Sequence, residues 1–215
     1  MRKRKWSIFA AVAVLVVFFM FTLAVRFIDV KAVGAAGSSI GFATINRSVH
    51  EFFGVHMPLY TVTDWLSLVP VGVMLGFAIL GLAQWIGRKS LLRVDADILA
   101  LGGFYAVLAG VYLLFEALAV NYRPVLINGQ LEASYPSSTT VLVLCVMLTA
   151  VMQIRARVKK KVLRRALSSF SIAFAAFMVI GRLLSGVHWI TDIVGGVLLS
   201  AALILTYRAA SVTAA

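Results

Sequence analysis

Gly181-Arg182 is followed, past five residues, by His188 and, past three more, by Asp192. A histidine and a carboxylate four apart share one face of a helix, where the carboxylate can hydrogen-bond and orient the ring. An oriented imidazole beside an arginine is a nucleophile next to an anion clamp. The triplet sits at the mouth of an apolar helix, a place where ionisable groups are costly and therefore rare. An interfacial arginine, a lipid-facing histidine and an aspartate helix cap would use the same residues. The triplet alone leaves both readings open.

The elements that must position these groups are membrane helices. The chain has 215 residues, 62% of them hydrophobic, against about half in a soluble domain. A bilayer crossing needs roughly 20 apolar residues. Trp6 to Val25, Trp65 to Gly87 and Ala133 to Ile154 qualify, as does Ile98 to Tyr122, interrupted only by Glu116. Ala166 to Gly181, extended to Leu184, is a fifth span, and Ile193 to Tyr207, begun near Trp189, is a sixth. The expected fold is all-α: one polytopic domain over 1–215, a six-transmembrane-helix bundle. Trp6 to Val25 follows Arg2-Lys3-Arg4-Lys5 but is longer than a usual signal segment and lacks a clear cleavage site, so it reads as a retained first helix. Cys145 is the single cysteine, which excludes an internal disulfide framework. Asn46-Arg47-Ser48 matches a glycosylation sequon, a pattern common by chance.

Net charge is +12, and its distribution explains it better than a nucleic-acid partner does. With six spans, one side holds Arg2 to Lys5, Arg88, Lys89, Arg93, the cluster Arg155, Arg157, Lys159, Lys160, Lys161, Arg164 and Arg165, and Arg208. Arg26, Lys31, Arg47, Arg123 and Arg182 remain for the other. This is the positive-inside pattern, which predicts cytoplasmic termini in a multi-pass cell-membrane protein. The basic loop between spans four and five then rests on anionic lipid headgroups.

The longest stretch outside the spans, Arg26 to Asp64, falls on the outer side. It opens with the turn-rich Gly34 to Ser39, and Ile40 to Val55 shows the spacing of an interfacial amphipathic helix. His50 and His56 lie here without a metal-ligand pattern such as HExxH and read as histidines at a wet interface. Also on this side are Arg123-Pro124 and the sequence Pro136-Ser137-Ser138-Thr139, which opens the fourth helix. An outward helix N-terminus offers free N–H groups and the positive dipole end to an anion, and capping by Ser137 uses the same donors. Two arginines, a hydroxyl-rich helix start and an oriented histidine describe a phosphate site at headgroup depth.

These segments resemble the motifs of the type 2 phosphatidic acid phosphatase (PAP2) family: Lys-x6-Arg-Pro, Pro-Ser-Gly-His and Ser-Arg-x5-His-x3-Asp. The resemblance runs from about Glu116 to Asp192, with matching order, spacing and membrane side. It implies a lipid phosphatase in which His188 attacks phosphorus to form a phosphohistidine and Asp192 orients His188. Arg123 and Arg182 would hold the phosphoryl oxygens, with Ser137, Ser138 and Thr139 lining the phosphate site. No metal or other cofactor enters that scheme.

Four positions depart from the family's pattern. Gly181 replaces the serine of the third motif, Glu116 replaces the lysine of the first, and Ser138-Thr139 replace Gly-His of the second. The last change removes the histidine that protonates the leaving oxygen, a function worth about 10²–10⁴ in rate. A diphosphate ester expels a better leaving group than an alkoxide does, so a polyprenyl diphosphate is the first expected substrate. Glu116, seven residues before Arg123, faces the same way on a continuous helix. It would then pair with Arg123, meet a headgroup amine or, with its pKa raised by burial, supply the missing acid. The alternatives are a non-hydrolytic lipid-phosphate binder or transporter on the same scaffold, and a lipid phosphotransferase.

Overall fold

A computed structural model describes residues 2–211. Among them are eight α-helices: α1 (Arg2–Phe27), α2 (Ala43–Phe53), α3 (Met57–Leu66), α4 (Leu68–Arg88), α5 (Ala96–Leu118), α6 (Ser138–Arg157), α7 (Lys161–Leu184) and α8 (Ile190–Ser211). Six stretches are long and apolar enough to cross a membrane, α3 and α4 together forming one of them, Met57–Arg88. Helices are what such runs must form, because in hydrocarbon every backbone N–H and C=O has to be satisfied within the segment. Strand pairing among the described residues is limited to isolated bridges in the loops, such as Tyr122 with Ala133.

The spans match the six apolar runs of the sequence with shifted edges. The third was expected to reach Tyr122 but stops at Leu118, where Ala119 turns left-handed at φ 42°. The fourth was expected from Ala133 but starts at Ser138. The residue before a proline is pushed out of the helical region, here Tyr135 before Pro136, while Ala133 is already paired with Tyr122. The amphipathic segment forms α2. The larger difference is α3, which lies within a stretch read as outer loop. It opens with Pro58 in its first turn, a favoured position, and continues into α4 across Ser67. Pro70 accounts for the break, since its ring excludes the carbonyl four residues earlier, that of Leu66.

α8 packs against α1, α5 and α6, and α6 packs against α7. The core centres on Phe18, Phe115, Tyr135, Val146 and Leu199. Tyr135 stacks on Phe18 with ring centroids 6.4 Å apart, and its hydroxyl lies 2.8 Å from Thr22 Oγ1. At the basic end Arg157 forks onto Asp97 (Nη1–Oδ2 2.7 Å, Nη2–Oδ1 2.9 Å), Arg88 reaches Asp95 at 2.8 Å, and Gln153 donates to the Tyr207 hydroxyl. These contacts tie α4, α5, α6 and α8 together. Arg157 therefore turns inward, whereas Arg155, Lys159, Lys160, Lys161 and Arg165 stay exposed.

At the opposite end α3 lies on α7 at Gly181. A Cβ there would come within 2.8 Å of Thr63 Cγ2, so the side chain missing from Gly181 is replaced in space by a methyl from the facing helix. Thr63 is fully buried and its hydroxyl donates to Leu59 and Tyr60 carbonyls, which leaves the methyl little freedom to move. Gly181→Ser is expected to cost about 1–3 kcal/mol by overpacking. Adding Thr63→Ser, which removes the methyl and keeps the hydroxyl, should recover most of it. Thermal unfolding of both variants in detergent checks this; equal loss with and without Thr63→Ser would disprove the exchange of volume.

Candidate active site

Arg182 occupies the last turn of α7 and is only 1% exposed. The chain leaves the helix through Ser185, whose hydroxyl donates to the Arg182 carbonyl at 2.8 Å. It then turns at Gly186, φ 69°, where a side chain would strike the Gly54 carbonyl. That turn delivers His188 to the loop ahead of α8. Asp192, in the first turn of α8, reaches back and accepts the Trp189 N–H at 3.0 Å. His188 and Asp192 are thus not paired along one helix as their spacing suggested, because α8 begins only at Ile190. Asp192 caps the helix and still places Oδ2 3.4 Å from His188 Nδ1, a close contact without hydrogen-bond alignment.

Neighbouring elements fix this corner. The Asp192 carbonyl accepts the Ser137 N–H at 3.0 Å, joining the starts of α6 and α8. Trp189 Nε1 donates to the Tyr122 carbonyl at 2.8 Å. Asn46 of α2, fully buried, donates to Thr191 Oγ1 at 2.9 Å, so the sequon asparagine serves the interior. His50 and His56 buttress the same loop. His50 Nε2 lies 3.1 Å from the Gly186 carbonyl, with its ring 5.3 Å from Trp189, and the His56 N–H donates to Ser185.

The two arginines converge on the imidazole. Arg123 Nη1 stands 3.5 Å from His188 Nε2. A guanidinium only donates, so this long contact leaves Nε2 with its lone pair and puts the ring proton on Nδ1, facing Asp192. Arg182 Nη2 donates to Asp64 Oδ1 at 2.9 Å and to Thr139 Oγ1 at 2.7 Å, while its buried Nε and Nη1 have no partner. Tyr60 lies between the like charges, its ring centroid 5.9 Å from the Arg123 guanidinium carbon and 4.9 Å from that of Arg182. The negative face of an aromatic ring attracts cations, so Tyr60 offsets part of their repulsion. Unpartnered donors on a buried cation are expensive. An incoming anion would satisfy them.

Burial holds the imidazole of His188 neutral, lowering its pKa from the usual 6.5 to about 4. Asp192 opposes that shift, and Arg123 and Arg182 add to it.

The remaining expected residues divide. Thr139 is in the site through Arg182. Ser137 is buried and its oxygen accepts the Thr140 N–H at 3.4 Å and the Thr140 hydroxyl at 3.1 Å, so it caps α6. Ser138 is partly exposed and, with Thr139, lines a cavity of about 360 Å³ whose walls include Leu108, Tyr112, Phe115, Glu116 and Leu142. Glu116 opens onto that cavity and does not pair with Arg123. The helix that would align the two ends at Leu118, and Arg123 instead meets Glu132, with Nε 3.0 Å from Oε2.

Asp64, Tyr60, Thr63 and Glu132 are site residues that sequence reasoning passed over. Asp64 carried a signal, a carboxylate at the edge of an apolar run. Glu132 is brought to Arg123 by the turn between Ile127 and Gln130, and nothing in local spacing marks it.

The family model for the PAP2 superfamily matches residues 103–214. A PAP2-type phosphatidylglycerolphosphate phosphatase from Bacillus subtilis has a similar structure, with a TM-score of 0.60 and 17% identity over 93% of this chain and 94% of that one. At that identity the likeness concerns the fold. No curated protein matches the sequence.

The depressed imidazole has a consequence for stability. Above pH 6.5 His188 is neutral in the folded and unfolded chains alike; between 6.5 and about 4 only the unfolded chain takes up the proton, so stability is lost as pH falls through that window. Unfolding midpoints at pH 7 and pH 5 should separate more in the wild type than in His188→Gln. Equal separations would show that the buried ring does not resist protonation.

Proposed function

The chain belongs to the PAP2 superfamily, and from that footing we propose that it is an integral-membrane phosphatase acting on a lipid phosphate in the outer leaflet. The observation that carries the reading is the pair of buried, unpartnered guanidinium nitrogens of Arg182 together with a neutral imidazole whose Nε2 lone pair faces Arg123 across a long 3.5 Å contact. Arg182 and Arg123 bind the phosphoryl oxygens by charge-assisted hydrogen bonds. Nε2 of His188 attacks phosphorus and the bond to the leaving oxygen breaks with its electron pair. Asp192, beside Nδ1, stabilises the imidazolium of the resulting phosphohistidine. Water then attacks phosphorus and releases inorganic phosphate.

Substrate preference follows from Thr139. A threonine hydroxyl is a poor general acid, so a lipid that leaves as a phosphate monoester is favoured over one that leaves as an alkoxide. A polyprenyl diphosphate meets that requirement, and the apolar cavity beside Ser138 and Thr139 offers a wall for its chain. Purified protein in detergent should release phosphate from a polyprenyl diphosphate faster than from phosphatidate or phosphatidylglycerolphosphate, the lipid named for the Bacillus subtilis enzyme. His188→Ala should lower that rate at least about 10³-fold. Undiminished hydrolysis by this variant would remove His188 as nucleophile, and wild-type protein that binds these lipids without releasing phosphate would make the chain a binder.

The excess of Lys and Arg at the end opposite the site supports cytoplasmic termini, with the exposed basic residues around Lys160 on anionic lipid. In intact cells, Lys160→Cys is expected to resist a membrane-impermeant thiol reagent until the cells are lysed. Labelling from outside would reverse the orientation.

A further inference from the structure

We infer that Asp64 is the proton-transfer residue of this site, in the place left by the missing histidine of the second motif. The inference rests on the phosphohistidine reading above. Thr139 stands where that histidine would be, and Thr139 Oγ1 and Asp64 Oδ1 are both hydrogen-bonded to one atom, Arg182 Nη2. The carboxylate therefore lies across a single nitrogen from the vacated position. Asp64 comes from α3, a different helix from either motif, so its arrival there is a property of packing.

The remaining geometry suits the task. Arg182 keeps Nε and Nη1 free while Asp64 holds Nη2, so a phosphoryl group can bind the guanidinium without displacing the carboxylate. Arg182 is sealed at 1% exposure, but the Asp64 side chain is 56% exposed. It can take a proton from a molecule inside the site and pass it to the outside of the bundle. Glu116, the carboxylate that the sequence offered in place of the acid, opens onto the neighbouring cavity and makes no ion pair with either arginine.

The step assigned to Asp64 is the hydrolysis of the phosphohistidine. The water oxygen bonds to phosphorus as one of its protons passes to the carboxylate. The P–Nε2 bond breaks and its electron pair returns to the ring, which leaves neutral His188, inorganic phosphate and a protonated Asp64 that gives its proton to solvent. In the preceding step the diphosphate ester loses its lipid monophosphate as an anion, which needs no donor. A carboxylate held by an arginine is therefore the right group for the half-reaction in which this site needs help.

Rapid mixing with a polyprenyl diphosphate carrying ³²P on its terminal phosphate, quenched in alkali, separates the two half-reactions. Asp64→Asn preserves an oxygen for Arg182 and removes the base. The protein should still become labelled at His188, the label should accumulate, and turnover should fall by about 10²–10⁴-fold. Asp64→Glu should turn over faster than Asp64→Asn, and adding Thr139→His to Asp64→Asn should restore turnover by returning an imidazole to the adjacent position. Wild-type turnover in Asp64→Asn overturns the inference. Equal loss of labelling and turnover, or no rescue by Thr139→His, also overturns it, because Asp64 would then act by holding Arg182. If the wild type hydrolyses nothing, the phosphatase reading falls and this inference with it.

Discussion

A guanidinium withdrawn from solvent is the constraint around which this molecule is arranged. Arg182 cannot lose its charge in any ordinary range of pH, and its burial is tolerable only if neighbours supply acceptors or a π face. Asp64, Thr139 and Tyr60 do so from two other helices, which draws α3, α6 and α7 to one point. The compensation is incomplete, since two nitrogens have no acceptor. A structural ion pair would be closed; this one keeps two donors of defined direction, with the histidine nearby.

The other end of the bundle shows what closure looks like. There Arg157 meets Asp97 with two parallel bonds, and Asp95, Gln84, Gln153 and Tyr207 complete the set across four helices. That end is an anchor. Asymmetry between the ends lets the site carry unsatisfied donors and a neutral buried imidazole, because the cost is borne by a bundle fastened elsewhere.

Much of this was legible in the residues. Long uncharged runs have one solution in a bilayer, and so the six spans could be read, their edges shifting only where Ala119 and Pro136 interrupt the backbone. Arg123, Thr139, Arg182, His188 and Asp192 do converge at one end of the bundle. What spacing concealed was geometry across helices. His188 and Asp192 meet through a cap instead of a helical face, Glu116 is separated from Arg123 by the end of α5, and Glu132 takes its place by way of a turn. Ser137 spends its oxygen on the helix it opens. Asp64 was hidden because α3 looked like loop, its apolar spacing being short and broken from α4 by Pro70.

The residues that match the superfamily begin at 103, whereas Tyr60, Thr63 and Asp64 precede that boundary. The stretch that reveals ancestry and the stretch that completes the arginine's surroundings are therefore different parts of the chain. Relatives identical in the shared segment can differ in chemistry through α3 alone, and a graft of 103–214 onto another amino-terminal half would carry the signature without the same pocket. Part of what completes the site therefore lies upstream of the segment that marks the family.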